Sequence, residues 1–259
     1  MNDMSFSYYG ELSTEVYNLT KKVGQSLDGD IEYYESRLQN CDGRILEPMV
    51  GSGRVIIPLL QSGLLVDGID YSPEMLASCR QRCEDRGLNP NLYEADLTKL
   101  SLSHKYEAII IPTGSFLLIE NRDDSMNTLE RLYEHLQHGV KLIADLLLPD
   151  EATELQRIYS RIETYTLPNG DTITSEQKLV QFDWLKQHLV SYITYEKWRE
   201  GKLIQTERQR FALRWYGVEE FKLILESIGF TDIVISANYT YGEQPTHHKQ
   251  TLTYEAVKK

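Results

Sequence analysis

The segment that decides the fold spans residues 45–54 and has the sequence ILEPMVGSGR. An apolar run typical of a buried strand leads into a turn containing Gly51 and Gly53, and a helix is expected to begin near Arg54. Glycines in such a turn let the backbone approach a ligand closely. Because short glycine turns after apolar runs are common, this segment alone leaves the ligand open.

Acidic residues lie at the ends of the first three predicted strands. Glu47 falls in the first, Asp70 ends a strand at 65–70, and Asp96 follows a weaker strand at 91–95. Carboxyl ends of strands are where open α/β sheets bind ligands, and a carboxylate at Asp70 can accept both hydroxyls of a ribose. A carboxylate at Asp96 could accept from the exocyclic amine of an adenine. The three positions predict an adenine nucleoside site.

Two cofactors with an adenine nucleoside compete for this site, NAD and S-adenosylmethionine. A dinucleotide fingerprint needs a third small residue three positions after Gly53, where this chain has Ile56. Glu47 beside the turn would disfavour a pyrophosphate but would tolerate a cofactor bearing an ammonium and a sulfonium. The spacing therefore favours S-adenosylmethionine.

Short apolar runs alternate with helical stretches from Cys41 to about Leu148, which predicts βαβ units and a mainly parallel sheet. Ser72-Pro73-Glu74 has the residues of a helix start, and that helix should end near Asp85. The predicted strands of this region are 44–50, 65–70, 91–95, 106–111 and 140–148.

The regions on either side of these strands differ from them in the spacing of their apolar residues. Residues 14–37 indicate one or two helices lying over the ligand edge of the sheet. The period of two within 161–216, with a turn at 199–201, predicts an antiparallel hairpin insertion. A helix at 218–227 should end at Gly229, followed by strands at 231–236 and 251–257.

Composition excludes several classes of partner. The chain has 259 residues, 39 acidic against 27 basic, and a formal net charge of −12, which disfavours nucleic acid. The N-terminus has neither a basic region nor an apolar core of a signal peptide, and no apolar run of roughly 18 residues occurs, so we expect a cytoplasmic protein without a membrane partner. Cys79 and Cys83 indicate packing, and the adjacent His247 and His248 chelate poorly, so no metal is assigned.

The segments ILEPMVGSGR, VDGIDYSPEML, YEADL and AIIIPTGSF together resemble the class I S-adenosylmethionine-dependent methyltransferases. The resemblance is to the small-molecule branch with a β-insertion, which includes bacterial sugar-amine N-methyltransferases, and it extends to the late WYGVEEFKLILESIGF. It implies an α/β, Rossmann-like doubly wound fold with a mainly parallel seven-stranded sheet, an antiparallel edge strand, a helical N-terminal cap and an antiparallel β-insertion. The implied domains are a cap at 1–40, a cofactor-binding domain at 41–160 and 217–259, and an insertion at 161–216.

The resemblance also implies roles for individual residues. The glycines would line the methionine moiety, Asp70 would hold the ribose, Tyr71 and Met75 would flank the adenine, and Asp96 and Leu97 would meet its polar edge. Met49 stands where the family more often has a glycine, and residues 137–140 replace its usual Pro-Gly-Gly turn. The complete cofactor set is Glu47, Met49, Gly51, Gly53, Asp70, Tyr71, Met75, Asp96, Leu97 and Thr113.

Methyl transfer needs alignment and a dry pocket rather than a catalytic triad. Aromatic faces suit a cationic donor and an amine acceptor, and Tyr17, Phe116 and Trp215 are the candidates, with Tyr17 favoured because its phenol could orient the acceptor. Further candidates for acceptor recognition are Asp145 and the arginines Arg208, Arg210 and Arg214, the arginines by pairing an anionic group or else as a solvated strand face.

Three functions are compared. The first is a methyltransferase acting on a small molecule, most simply an amine, in a monomer or homodimer. The second is a non-catalytic S-adenosylmethionine-binding sensor, and the third, an NAD-dependent oxidoreductase, is disfavoured by Ile56. Residues 111–114 lack the Asn-Pro-Pro-Tyr-like motif of enzymes that methylate bases in DNA.

Overall fold

Two sheets organise the computed structural model, which describes residues 6–150 and 160–259. In chain order, the strands of the described part are β1 (Arg44–Pro48), β2 (Leu65–Asp70), β3 (Leu92–Glu94), β4 (Tyr106–Ile111), β5 (Leu136–Leu146), β6 (Arg161–Thr166), β7 (Thr172–Asp183), β8 (His188–Arg199), β9 (Lys202–Arg214), β10 (Phe230–Ala237) and β11 (Leu252–Lys258).

The first sheet has seven strands in the order β10-β11-β5-β4-β1-β2-β3. Strands β1 to β5 pair in parallel, whereas β11 runs antiparallel to both of its neighbours, β5 and β10. The reversed strand therefore lies one position in from the edge. The Rossmann-like, mainly parallel seven-stranded sheet is confirmed, and it brings the carboxyl ends of β1, β2 and β3 side by side.

Helices cover both faces of this sheet. The described helices are α1 (Glu11–Thr20), α2 (Asp30–Leu38), α3 (Ile56–Gln61), α4 (Pro73–Glu84), α5 (Arg122–His135) and α6 (Val218–Ile228). One apolar core lies between the sheet and α5 with α6, and a second between the sheet and α2, α3 and α4. Cys79 and Cys83 are free and buried in the second core, which confirms their packing role.

Local signals set the helix ends as expected. The Ser72 hydroxyl accepts from the Met75 N–H at 3.0 Å and caps α4, with Pro73 in the first turn. Gly229 takes a left-handed φ of 115° and ends α6. Because these caps depend on neighbouring residues alone, sequence patterns locate them well.

The second sheet is antiparallel, in the order β6-β7-β8-β9. The predicted hairpin is its β8–β9 half, joined through Glu200 and Gly201, both of positive φ. The strands β6 and β7 extend it to four. Apolar residues of α1, including Leu12 and Val16, pack against this sheet at Ile173 and Tyr195, so α1 lies between the insertion and the ligand edge.

Several boundaries differ from the sequence prediction by a few residues, and two of these differences involve turns. The helix after the glycine turn begins at Ile56, because residues 51–55 are still turn. Strand β5 begins at Leu136, directly after α5, and the pairing with β4 shifts register where Gly139 has φ 77°. The predicted turn at 137–140 is therefore an irregular start of the strand. None of the described helices is long and apolar enough to span a membrane.

Candidate active site

The glycine turn after β1 has a left-handed residue at every second position. Met49, Gly51 and Gly53 have φ values of 61°, 56° and 89°. A Cβ on Gly53 would lie 2.9 Å from Cys79 Sγ, so the turn packs directly on α4. Met49 therefore holds, without being glycine, the backbone conformation that glycine adopts most easily.

Asp70 ties this turn to the end of β2. Its Oδ2 accepts from the Gly51 N–H at 2.8 Å and its Oδ1 accepts from the Ser72 N–H at 2.9 Å. Burial raises the pKa of Asp70, and the backbone N–H donors oppose that rise. The carboxylate is thus held in one orientation at the sheet edge, with acceptor capacity remaining for a ligand.

Asp96 lies beyond β3 and caps a short 3-10 helix of one turn, Leu97–Lys99. Its Oδ1 accepts from the N–H and hydroxyl of Thr98 at 3.0 and 2.7 Å, and Oδ2 lies 3.1 Å from Lys99 Nζ. These hydrogen bonds, the Thr98 hydroxyl first, lower the pKa of Asp96. A ligand bound to Asp96 would therefore share this carboxylate with the hydrogen bonds of the Leu97–Lys99 turn.

Glu47 and Arg54 belong to a buried polar group beneath the turn. Glu47 is 3% exposed, its Oε2 has no hydrogen-bond partner among the described residues, and burial raises its pKa to about 8 against the opposing charge of Arg54. The Arg54 guanidinium pairs with the buried Asp30 and donates to Thr113 Oγ1 at 2.6 Å. The Thr113 N–H donates to Asp145 at 2.8 Å. This group links α2, the turn and β5.

A cavity of about 1160 Å³ opens at the sheet edge. It brings together eight of the residues predicted from the sequence, seven of them as cofactor contacts and one as an aromatic that aligns the acceptor. These are Tyr17, Met49, Gly51, Asp70, Tyr71, Met75, Asp96 and Leu97. Glu47, Gly53 and Thr113 are not among the residues that line it.

Two of the three predicted aromatic residues do not reach the cavity. Phe116 is 1% exposed and packs on Tyr216 and Phe221 in the core. Trp215 is 7% exposed and lies in an apolar cluster with Leu179. Both side chains face apolar partners, so their geometry indicates packing and gives no support to a role in aligning the acceptor.

Two tyrosines near the N-terminus, Tyr8 and Tyr9, line the cavity, and we call them the aromatic arm. The sequence patterns did not identify them as site residues. Tyr8 meets Tyr71 edge to face at a centroid distance of 5.8 Å, and Tyr9 meets Tyr17 at 6.4 Å. Tyr9 also accepts, through its carbonyl, from the Ser72 hydroxyl at 2.7 Å. The local signal was the pair of tyrosines immediately before the first helix.

Glu207 of β9 anchors this arm. Its carboxylate accepts from the backbone N–H groups of Gly10, Leu12 and Ser13 at 3.3, 2.7 and 3.3 Å, at the N-terminus of α1. These N–H groups have no partner inside the helix, and a carboxylate also suits the positive end of the helix dipole. The insertion thereby fixes the start of α1 and the tyrosines before it.

The polar residues proposed for acceptor recognition divide into different environments. Arg210 forms a two-pronged ion pair with Glu120. Arg214 lies in the cavity wall, whereas Arg208 does not line it. Asp145 is fully buried, accepts from Thr113, Thr253 and Tyr239, and has a pKa raised to about 6 by burial, so its contacts are structural.

Residues from the insertion, the segment before α5, the first turn of α5 and the start of α6 also line the cavity. Sequence patterns did not single out most of them. They are Ser115, Leu118, Ile119, Glu120, Asn121, Arg122, Asp123, Asp124, Leu185, Lys186, Gln187, His188, Arg214 and Glu220. The cavity therefore extends from the strand ends to a group of charged residues from the insertion, α5 and α6.

Comparison with known proteins agrees with this geometry. The family model "Methyltransferase domain" matches residues 45–139, which hold the glycine turn, Asp70 and Asp96. The glycine/sarcosine N-methyltransferase of Aphanothece halophytica is 24% identical over 213 residues, covering 80% of this chain and 71% of that protein.

Solved structures show the same fold. A S-adenosylmethionine-dependent methyltransferase from Clostridium acetobutylicum ATCC 824 superposes with a TM-score of 0.72 at 17% identity, covering 94% of this chain and 96% of that one. The sugar N-methyltransferase KedS8 from Streptoalloteichus sp ATCC 53650 gives 0.70 at 18% identity, covering 100% and 98%. Residues 45–139 thus match a methyltransferase domain, and the chain has the fold of the S-adenosylmethionine-dependent enzymes. The resemblance, the enzyme class and the cofactor predicted from the sequence are confirmed.

Proposed function

We propose that this S-adenosylmethionine-dependent methyltransferase transfers the cofactor's methyl group to the nitrogen of a small amine. The observation that supports it most is the cavity of about 1160 Å³, which is lined both by Asp70 at the strand ends and by His188 of the insertion. Pockets for one small ligand usually measure about 300–1,000 Å³. A cofactor sensor needs only the strand-end part, whereas an enzyme needs room for an acceptor too.

The residues at the strand ends fit the cofactor. The left-handed turn at Met49, Gly51 and Gly53 gives a backbone surface that a ligand can approach closely. Asp70 presents an oriented carboxylate for ribose hydroxyls. The unpartnered Oε2 of Glu47 lies beneath the turn, where a nearby ammonium would compensate the buried charge.

We assign the adenine to the part of the cavity between α4 and the turn after β3. Met75 is 2% exposed at the cavity wall and Tyr71 is 61% exposed beside it, so the two can flank a flat base. Leu97 completes the apolar wall. Asp96 remains a proposed acceptor from the base, sharing its oxygens with Thr98 and Lys99.

S-adenosylmethionine supplies a methyl group on a sulfonium, which is an electrophile for in-line displacement. The acceptor nitrogen would take this methyl group on its lone pair, S-adenosylhomocysteine would leave, and the ammonium product would lose its proton to solvent. The chain's own contribution is alignment and exclusion of water. Burial raises the pKa of Tyr17, so its phenol keeps its proton and acts as a hydrogen-bond donor rather than a base.

The aromatic arm supports an amine acceptor. Tyr8, Tyr9 and Tyr17 line one cavity, and faces of tyrosine rings attract cations such as a sulfonium or a protonated amine. The glycine/sarcosine N-methyltransferase and the sugar N-methyltransferase KedS8 described above are N-methyltransferases by name, which supports this assignment.

A screen by release of S-adenosylhomocysteine tests the proposal. Primary and secondary amines, phenols and carboxylates are offered with S-adenosylmethionine, and Asp70→Ala serves as the variant impaired in cofactor binding. We expect release with at least one amine and little with that variant. Release with phenols alone contradicts the amine assignment, and tight cofactor binding without any release favours the sensor.

Three further expectations belong to this proposal. The division into a cap at 1–40, a cofactor domain at 41–160 and 217–259, and an insertion at 161–216 predicts that deleting the insertion spares cofactor binding. A cytoplasmic location and a monomeric or homodimeric state are measurable by cell fractionation and by light scattering on the purified protein.

A further inference from the structure

The acceptor end of the cavity contains a cross-strand pair that the proposed function has not used. His188 begins β8, Arg214 ends β9, and the two residues are direct partners in the antiparallel register. Side chains of such a pair stand on the same face of a sheet, with Cβ atoms about 4.5–5.5 Å apart. Both line the cavity, so their polar groups converge on the same space.

His188 is buried with an unmet hydrogen-bonding group. It is 7% exposed, and its Nδ1 has no hydrogen-bond partner within residues 6–150 and 160–259. Nearly all buried polar side-chain atoms in proteins have a partner, so an orphaned one on a cavity wall indicates a ligand contact.

Arg214 is held in place by hydrogen bonds to backbone carbonyls, without a direct ion pair to the described residues. Its Nε donates to the Glu120 carbonyl at 2.6 Å and its Nη1 to the Lys186 carbonyl at 2.7 Å. These acceptors are neutral, and no carboxylate of the described chain pairs with this guanidinium. Nη2 makes no hydrogen bond to the described residues, so a positive charge and free donors remain at the cavity wall.

Arg210 lies four residues before Arg214 on β9 and, unlike Arg214, forms an ion pair. Its guanidinium is occupied by the Glu120 carboxylate, which also lies near His188 and Arg214. The other charges near this pair are one further ion pair, one lysine, two exposed aspartates at the start of α5, and the aspartate paired with His188 on β7. They are Arg122 with Glu220, Lys186, Asp123, Asp124 and Asp183.

We propose that His188 and Arg214 form a subsite for an anionic group of the acceptor, a carboxylate or a phosphate. The His188 Nδ1–H and the Arg214 Nη2 donors bind that group, and its charge compensates the guanidinium. The acceptor is then an amine with an anionic group at its other end. This inference rests on the proposed function and names the substrate class of the same site.

A direct binding experiment tests the subsite without requiring turnover. The full chain, saturated with S-adenosylhomocysteine, is titrated with inorganic phosphate and, separately, with acetate. We compare Arg214→Gln and His188→Asn with Lys178→Gln, which removes one charge from an exposed position of β7 in the same sheet. Binding should weaken roughly tenfold or more in the first two variants and stay within about twofold in the third, as expected for loss of a charge-assisted contact.

Matched acceptor pairs distinguish the two anions and give a second readout. Glycine is compared with glycinamide, and glucosamine 6-phosphate with glucosamine, by S-adenosylhomocysteine release. The anionic member of at least one pair should have the higher kcat/KM, and Arg214→Gln should abolish that preference while Lys178→Gln retains it. If neutral members serve equally well, or if the variants bind anions as wild type does, the subsite is refuted. If no amine is methylated but the anion titration behaves as expected, the amine assignment fails and the subsite stands.

Discussion

Replacing Asp70 by alanine separates cofactor binding from folding. Asp70 is placed to accept from ribose hydroxyls, and its oxygens also hold the Gly51 and Ser72 N–H groups at 2.8 and 2.9 Å. A charge-assisted hydrogen bond contributes about 1.5–3 kcal/mol, which corresponds to a loss of roughly 10- to 150-fold in affinity. We therefore expect S-adenosylhomocysteine to bind one to two orders of magnitude more weakly.

The fold should survive this change. Alanine removes two accepted hydrogen bonds, each contributing about 0.5–1.5 kcal/mol. It also removes a carboxylate that is 8% exposed and whose charged form is disfavoured by burial, which offsets part of that loss. The free energy of unfolding should fall by no more than about 2 kcal/mol.

Calorimetry with S-adenosylhomocysteine and thermal circular dichroism measure the two effects. The matched control is Ser72→Ala, which removes the cap of α4 at a cost of about 1 kcal/mol but keeps the carboxylate. It should bind nearly as wild type does. A folded Asp70→Ala that binds unchanged, or a control that loses as much affinity, would refute the assignment of Asp70 to the ribose.

Three other changes follow from the site. Tyr17→Phe should leave S-adenosylhomocysteine affinity within a few-fold while lowering methyl transfer up to about 10²-fold through misalignment; proportional loss of both would move Tyr17 into the cofactor site. Glu207→Ala should lower the free energy of unfolding by about 1–3 kcal/mol, because three N–H groups at the N-terminus of α1 lose their acceptor. Urea unfolding measures this loss, with Glu196→Ala as the control variant. Equal losses in the two variants would show that Glu207 does not anchor the start of α1. Burial raises the pKa of Glu47 to about 8, so the folded state binds a proton more tightly than the unfolded state, and this stabilisation is present below pH 4.5 and lost as pH rises through 8. Unfolding at pH 5 and 8 should therefore show a smaller decline for Glu47→Gln than for wild type, and identical declines would contradict the raised pKa.

The strand ends were predictable because their signals are local. Apolar runs, the spacing from Gly53 to Asp70, and the Ser72-Pro73 helix start depend on neighbouring residues, and the strand Leu65–Asp70 has the predicted bounds. Even Met49, noted as a departure from the family's glycine, takes the φ of 61° that a glycine would take. The residue type therefore departs from the family pattern, while the backbone conformation of the turn is the same.

The acceptor end was not predictable because distant segments build it. Tyr8 and Tyr9 reach the cavity through contacts of Glu207, about 200 positions later in the chain. His188 and Arg214 become neighbours only through the register of β8 and β9.

The direction of an aromatic side chain is equally hard to infer. Phe116 follows β4 near the ligand edge, yet it packs into the core beside Phe221. Trp215 follows β9, and its ring lies 5.2 Å from that of Phe182. The pattern of apolar residues is the same for a core aromatic and for one that faces a ligand, so only tertiary packing distinguishes them.

The fate of the methyl group tests the central claim most directly. The protein is incubated with S-adenosylmethionine carrying a trideuteriomethyl group and with the best amine from the screen, and the product is analysed by fragmentation mass spectrometry. The account predicts one labelled methyl group on the acceptor nitrogen for each S-adenosylhomocysteine formed. Label on oxygen or carbon, or a cofactor that binds tightly while its methyl group stays in place, would contradict it.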